Sequence, residues 1–252
     1  MLVATTTVIF LLLGLSVGSF LNLCIDRLPA DQSILRPGSH CQLCERRLRI
    51  PDLVPIVSYV LLRGRCRYCG STIGYRSPLV EAVTAITFAF LYLNYDLSIQ
   101  LGISLIYTSL FIVIIVIDYE HQLILNKVVY PALPVALVFS FFWPELGIGK
   151  ALLGGLTGFA VMLALYFIFQ GGFGEGDIKL MGLLGIITGF PMIGTCLLLG
   201  VVSGGAVATV LLISGLRGRR EAIPFGPFLA GGAFVTLLWG QTIWDWYVGL
   251  FT

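Results

Sequence analysis

Long apolar runs separated by short polar breaks make up most of this chain, and one break, near the N-terminus, is far longer than the others. Crossing the ~30 Å hydrocarbon core of a bilayer takes about 20 helical residues. The pattern predicts about eight membrane helices, over roughly 3–25, 78–95, 99–117, 127–143, 149–170, 178–190, 192–215 and 225–249. Residues 178–190 are too few to cross upright, so neighbouring helices are expected to bury that segment. Pro131, Pro134, Gly154, Gly155, Gly204 and Gly205 interrupt the runs. Membrane helices tolerate such residues where a neighbour satisfies the freed backbone or packs closely on the small side chain. The fold class expected is an all-α polytopic membrane protein. Its parts are a first transmembrane helix (1–25), a polar loop domain (26–77) and a transmembrane domain (78–252).

Composition agrees with this reading and rules out an ordinary soluble domain. Of 252 residues, 58% are hydrophobic and 11% charged, against about a quarter charged in soluble proteins. Positions 1–8 hold no Lys or Arg, so the first run lacks the basic region of a cleavable signal and is expected to remain as a helix.

The basic residues set the orientation, because cytoplasmic connections accumulate Lys and Arg. Segment 26–77 carries nine arginines against four acids. With that segment inside, alternate connections bring Lys127, Lys179, Arg217, Arg219 and Arg220 inside as well, and 14 of the 15 basic residues share one side. Both termini then face the periplasmic side. The arginines either meet anionic lipid headgroups or simply obey the positive-inside rule, the plainer reading; membrane lipids, and no nucleic acid, are the expected partners.

Chemistry concentrates at the membrane boundary. Residues 171–180 read Gly-Gly-Phe-Gly-Glu-Gly-Asp-Ile-Lys-Leu, with three charged residues and four glycines between two apolar runs. A carboxylate at such a depth is costly unless it has a function. Asp177 opens the sixth span and Asp118 ends the third, and the topology puts both at the cytoplasmic surface although 59 residues separate them. Two carboxylates sharing a site cannot both ionise cheaply, which is the machinery of aspartic proteolysis. The bland alternatives are an N-cap for Asp177 and a headgroup anchor for Asp118. The helix macrodipole favours charge at an N-terminus and disfavours it at a C-terminus, so Asp177 is the expected ionised member and Asp118 the protonated one. A rival function is a proton-coupled transporter with Asp118 and Asp177 as a relay, but that calls for carboxylates near mid-membrane in paired repeats.

The polar segment holds Cys41-Gln-Leu-Cys44 and Cys66-Arg-Tyr-Cys69, with 21 residues between the pairs. Paired hooks of this kind suit tetrahedral thiolate ligation, as in a zinc ribbon. A 52-residue segment with few large apolar side chains builds little core, so a bound metal would supply its folding energy. Cys41, Cys44, Cys66 and Cys69 are therefore the expected ligands of a structural Zn2+, with disulfides the rival. His40 is an adjacent stand-in ligand or a solvated loop residue. Cys24 and Cys196 lie in apolar runs and read as small fillers.

Taken together, these residues resemble the type IV prepilin peptidases, bifunctional leader peptidase/N-methyltransferases of bacterial inner membranes. Gly174-Glu-Gly176-Asp177 matches their Gly-x-Gly-Asp motif. The match continues through Gly18–Pro29, both Cys-x-x-Cys pairs, Pro51-x-x-x-Pro55-x-x-Ser58-Tyr59, Leu62–Cys66, Arg76-x-Pro78-Leu-Val-Glu81, Asp118 and Ile223–Leu229. The resemblance implies cleavage of prepilin or pseudopilin leaders after a glycine at the cytoplasmic face, with Asp118 and Asp177 as the aspartyl pair. It also implies S-adenosylmethionine-dependent methylation of the new N-terminal residue, associated with the cysteine loop. No methyl-donor site emerges from the residues themselves. The chain departs from the family pattern where Leu-Pro-Asp often follows the first aspartate and Ile124-Leu-Asn126 stands here, and where Gln42 replaces a proline. Glu120 and Glu175 flank the pair and read as solvated loop carboxylates.

Overall fold

The computed structural model describes residues 2–169, 174–215 and 223–250. Gly171, Gly172 and Phe173 of the glycine-rich stretch, and Arg217, Arg219 and Arg220 of the charge argument, lie outside the described residues. Among those described the fold is helical, with two isolated β-bridges and no strand. The helices are α1 (Leu2–Arg27), α2 (Val57–Leu61), α3 (Arg76–Tyr95), α4 (Ile99–His121), α5 (Asn126–Ser140), α6 (Gly147–Ile168), α7 (Glu175–Thr188), α8 (Met192–Ile213) and α9 (Gly226–Gly249). Each expected apolar segment forms one helix, and α2 is the addition. Five of them, α1, α3, α4, α6 and α8, are long and apolar enough to cross a membrane.

The chain divides into two compact units, 1–113 and 114–252, with the division falling inside α4. In the first, α1 and α3 cross with almost no side chain between them. A Cβ at Gly14 would stand 2.6 Å from the Ala85 Cα, and one at Gly18 would stand 2.7 Å from the Glu81 Cα. These two glycines form a small-xxx-small step of the kind that lets membrane helices touch backbone to backbone. Where α1 ends and α3 begins, Arg76 bonds Asp26, and the buried Arg27 donates to the Ser33 carbonyl at 2.9 Å and the Gly38 carbonyl at 3.4 Å. The polar loop thus folds back onto the helix that delivers it.

In the second unit α7 is the central element. Leu180, Met181, Leu183 and Leu184 are fully buried, as expected for a helix too short to span and apolar on all sides. Gly154 of α6 meets Gly185 of α7 so closely that a Cβ on Gly154 would lie 2.3 Å from the Gly185 carbonyl oxygen. α7 ends where Gly189 adopts φ 72° and its N–H returns to the Gly185 carbonyl at 2.8 Å, a glycine C-terminal stop.

Candidate functional site

Asp177 is the third residue of α7. Its own N–H bonds the Gly174 carbonyl at 3.0 Å, and its carboxylate accepts the Gly174 N–H at 3.0 Å. The side chain therefore folds back on the helix start and satisfies a donor that has no partner within the helix. The capping role weighed from sequence is real, although it is exerted from inside the first turn. Gly176 brings this turn against the segment after α4, since a Cβ there would stand 2.9 Å from the Ile124 Cβ. The second glycine of Gly-x-Gly-Asp is thus required by a close approach.

Asp118 sits in the last turn of α4, which continues three residues further to His121. Gln122 at φ 53° ends the helix by donating to the Asp118 carbonyl at 2.9 Å. The Asp118 carboxylate points away from that terminus and accepts the N–H of Gly226, first residue of α9, at 2.9 Å. Both carboxylates therefore lie at a helix N-terminus, and the asymmetry drawn from α4's own C-terminus disappears. Sequence reasoning included Gly226 only as part of a motif. Its role is visible in the structure, where a Cβ would lie 2.6 Å from Asp118 Oδ2.

The two acids are brought together. Asp118 is 5% and Asp177 6% exposed, and the charge of Asp118 acts directly on Asp177. Glu120 and Glu175 are exposed as expected, but they stand in the last turn of α4 and the first turn of α7 and not in loops. Lys179, one turn into α7, bonds Asn126 Oδ1 at 3.0 Å. The residue standing where the family often has aspartate thus still ties α5 to α7.

The second cluster lies in the first unit. The Sγ atoms of Cys41, Cys44, Cys66 and Cys69 all lie within 4.8 Å of one another, and all six cysteines are free. A tetrahedron with Zn–S bonds of about 2.3 Å has S···S edges of about 3.8 Å, and Cys41 and Cys69 Sγ are 3.8 Å apart. The donor set therefore fits a tetrahedral metal, and the disulfide alternative is set aside. Each pair sits on a tight turn closed by an isolated bridge, His40 to Arg47 and Arg65 to Thr72. Backbone N–H groups of Cys44 and Leu43 pull the Cys41 thiol down to about 6, whereas Cys44, against the pull of the Arg46 backbone N–H, is pushed up to about 11 by desolvation and by the neighbouring sulfurs of Cys41 and Cys69. Packed thiolates repel one another, and a cation among them relieves that repulsion. Asp52 ties the loop together, taking Arg67 Nε at 2.6 Å, Tyr68 Oη at 3.0 Å and the Arg49 N–H at 3.0 Å. His40 stays outside the quartet, with Nδ1 3.1 Å from the Gly38 carbonyl. Cys24 and Cys196 are buried within helices.

A multi-pass helical membrane protein with two buried, interacting carboxylates at helix ends and a four-cysteine loop is a recognisable class. Residues 12–95 match the bacterial peptidase A24 N-terminal domain and residues 105–209 the type IV leader peptidase family. The chain belongs to that family. It is similar to the prepilin leader peptidase/N-methyltransferase of Bacillus subtilis (strain 168), 31% identical over 95% of this chain and 97% of that one. The protein of the same name from Stutzerimonas stutzeri is 32% identical over 92% and 90%, and that of Pseudomonas aeruginosa 30% identical over 94% and 92%. No solved structure matches at a significant level. The proton-relay reading finds no support among these relatives.

Proposed function

We propose that the chain is a membrane aspartic endopeptidase that removes the leader of type IV prepilins or pseudopilins after a glycine and then N-methylates the new N-terminal residue. The observation that carries the reading is the buried, interacting pair Asp118 and Asp177, delivered by segments far apart in sequence. One carboxyl holds a proton and the other takes a proton from a water molecule placed between them. The water oxygen attacks the scissile carbonyl, and the protonated partner donates to the developing oxyanion. Collapse of the tetrahedral intermediate releases the leader's carboxylate and a free amine on the mature chain. The Gly174 and Gly226 N–H groups fix each carboxylate through one oxygen, leaving the other oxygen of each for the water.

The substrate fits this placement. A prepilin joins a short basic leader to a long apolar helix, which lies in the bilayer while its cleavage junction reaches the headgroups. Glycine at the junction and at Gly174, beside Asp177, lets two backbones approach closely. The Lys and Arg distribution supports a site at the cytoplasmic face of a bacterial inner membrane, with both termini periplasmic. The four cysteines suit a structural Zn2+ that holds the loop domain, and S-adenosylmethionine is the methyl donor of the second reaction.

Co-expression of a prepilin with Asp118→Asn or Asp177→Asn, read by mass spectrometry, tests the peptidase. Each variant is expected to accumulate full-length precursor while the unaltered enzyme yields a shortened, methylated product. Processing by either Asn variant at the unaltered rate would sink the assignment.

A further inference from the structure

The first compact unit encloses a cavity of about 560 Å³ that the carboxylate pair does not use. It lies between the paired helices α1 and α3 and the cysteine loop, and Ser19, Asn22, Asp26, Tyr59 and Glu81 are in its wall. Its size falls within the range of small-molecule sites.

Two side chains in that wall are held as though for a ligand. Asn22 is 7% exposed and gives Nδ2 to the Ser77 carbonyl at 3.0 Å. A carbonyl partner is an acceptor, so it fixes which end of the amide faces it. The other end is Oδ1, which is buried and has no hydrogen-bond partner among the described residues. An unmet buried acceptor is costly, and a donor on a bound molecule would meet it. Glu81 is 8% exposed; its Oε2 accepts the Ile56 N–H at 2.7 Å, and Ser19 bonds the same carboxyl. Ile56 holds φ at 58°, a conformation that a β-branched residue adopts only under strain. Gly18 is what allows Glu81 to sit here, because α1 lies directly on the Glu81 Cα. Arg27 also lines the cavity, but its guanidinium is engaged by the Ser33 and Gly38 carbonyls. Asp26 in the wall is paired with Arg76, so what the wall offers is the Asn22 oxygen and the Glu81 carboxylate, which suit a cationic ligand with N–H donors.

Resting on the proposed function, we infer that this cavity is the methyl-transfer site: it takes S-adenosylmethionine, and Glu81 with Asn22 Oδ1 holds the N-terminal amine of the cleaved substrate. The ammonium gives one proton to Glu81. The freed nitrogen lone pair attacks the methyl carbon, an N–C bond forms, and the C–S bond breaks with its electron pair left on sulfur as a neutral thioether. The product is a methylammonium, and Glu81 returns its proton to water. The new amine and the sulfonium are both cations, which accounts for the acceptor-lined wall.

The test uses the full-length enzyme in nanodiscs, with Glu81→Gln and Asn22→Ala as variants. Glu81→Gln keeps an oxygen for the Ile56 N–H and loses only the charge. Three readouts are taken: photocrosslinking of radiolabelled S-adenosylmethionine with peptide mapping, methylation of a pre-cleaved prepilin, and cleavage of an intact one. Bound zinc per chain reports that the loop is folded. We expect the crosslink to map to residues around Ser19–Arg27, Ser58–Leu62 or Ser77–Glu81. Methylation by Glu81→Gln should fall at least about 10²-fold, the scale of a lost general base, with cleavage and zinc content unchanged. A crosslink confined to other segments, or methylation at the unaltered rate by both zinc-loaded variants, overturns the inference. Failure of the unaltered enzyme to cleave any prepilin instead sinks the peptidase reading, and the crosslink still decides what the cavity binds.

Discussion

The Gly226 N–H reaches across 108 residues of sequence to donate to the Asp118 carboxylate at 2.9 Å. No other residue type fits as well there, because a Cβ would stand 2.6 Å from the same oxygen it serves. Gly226→Ala must push the carboxylate aside. A displacement approaching 1 Å at a reacting group costs about 10²-fold. We expect this variant to lose leader cleavage by about that factor while expressing and melting near the unaltered protein, which kcat and a thermal melt in detergent would establish. Undiminished cleavage would mean that Asp118 tolerates the shift and that the contact only anchors α9.

The same logic applies on the Asp177 side. A methyl group on Gly176 meets the Ile124 Cβ at 2.9 Å, and overpacking of this kind costs about 1–3 kcal/mol. Gly176→Ala should therefore both destabilise the protein and slow cleavage. Ile124→Gly removes the opposing atom and should restore much of the activity in the double variant. A double-mutant cycle measures the coupling, and strict additivity would show that the two residues do not compete for the space.

What the sequence disclosed and what it hid divide along physical lines. Apolar runs are a property of neighbouring residues, so each of the eight segments emerged as a helix within a few residues of its expected ends. The Cys-x-x-Cys pairs were equally local, and they meet as expected. Asp118 and Asp177 were legible because an ionisable residue at a membrane boundary is conspicuous. Their supporting groups were not. Gly226 looks like any helix-starting glycine until α9 is seen to begin at Asp118, and Asn22 and Glu81 entered only as members of matching motifs, with no role of their own. Those roles depend on tertiary contacts made by residues with no distinctive local pattern.

Asn126 accepts Lys179 Nζ at 3.0 Å where the family often places aspartate. Asn126→Asp would turn a neutral hydrogen bond into an ion pair. At this partly exposed place the gain is on the order of 0.2–1 kcal/mol. The expected result is a small rise in melting temperature that shrinks as salt is added, with cleavage changed less than a few-fold. A drop in stability would mean that the added charge is felt by the nearby acids more than by Lys179.

The cysteine loop supports a prediction that separates its two turns. Glu45 donates to the Cys41 carbonyl at 2.9 Å and Gly70 to the Cys66 carbonyl at 3.0 Å, so the two knuckles repeat one backbone pattern. Both residues sit in left-handed conformations, at φ 55° and 71°. Glycine accepts that region freely, while other residues are strained there by about 1–2 kcal/mol. Nothing lies within 4 Å of a Cβ on Gly70, so Gly70→Ala has a purely conformational effect. Folding of this loop and metal retention are the same equilibrium if the metal holds it. Gly70→Ala should then give up zinc to a chelator about 5- to 30-fold more readily, because about 1.4 kcal/mol corresponds to tenfold. Glu45→Gly relieves the matching strain in the first knuckle, and its gain is smaller because glycine also loosens the unfolded chain. Chelator competition followed with a zinc-sensitive dye reads both variants. Stripping the metal altogether should abolish methylation well before leader cleavage, since the cysteines and the cavity belong to one compact unit and the aspartates to the other. Loss of both activities at the same chelator concentration would show instead that the peptidase also depends on the folded loop.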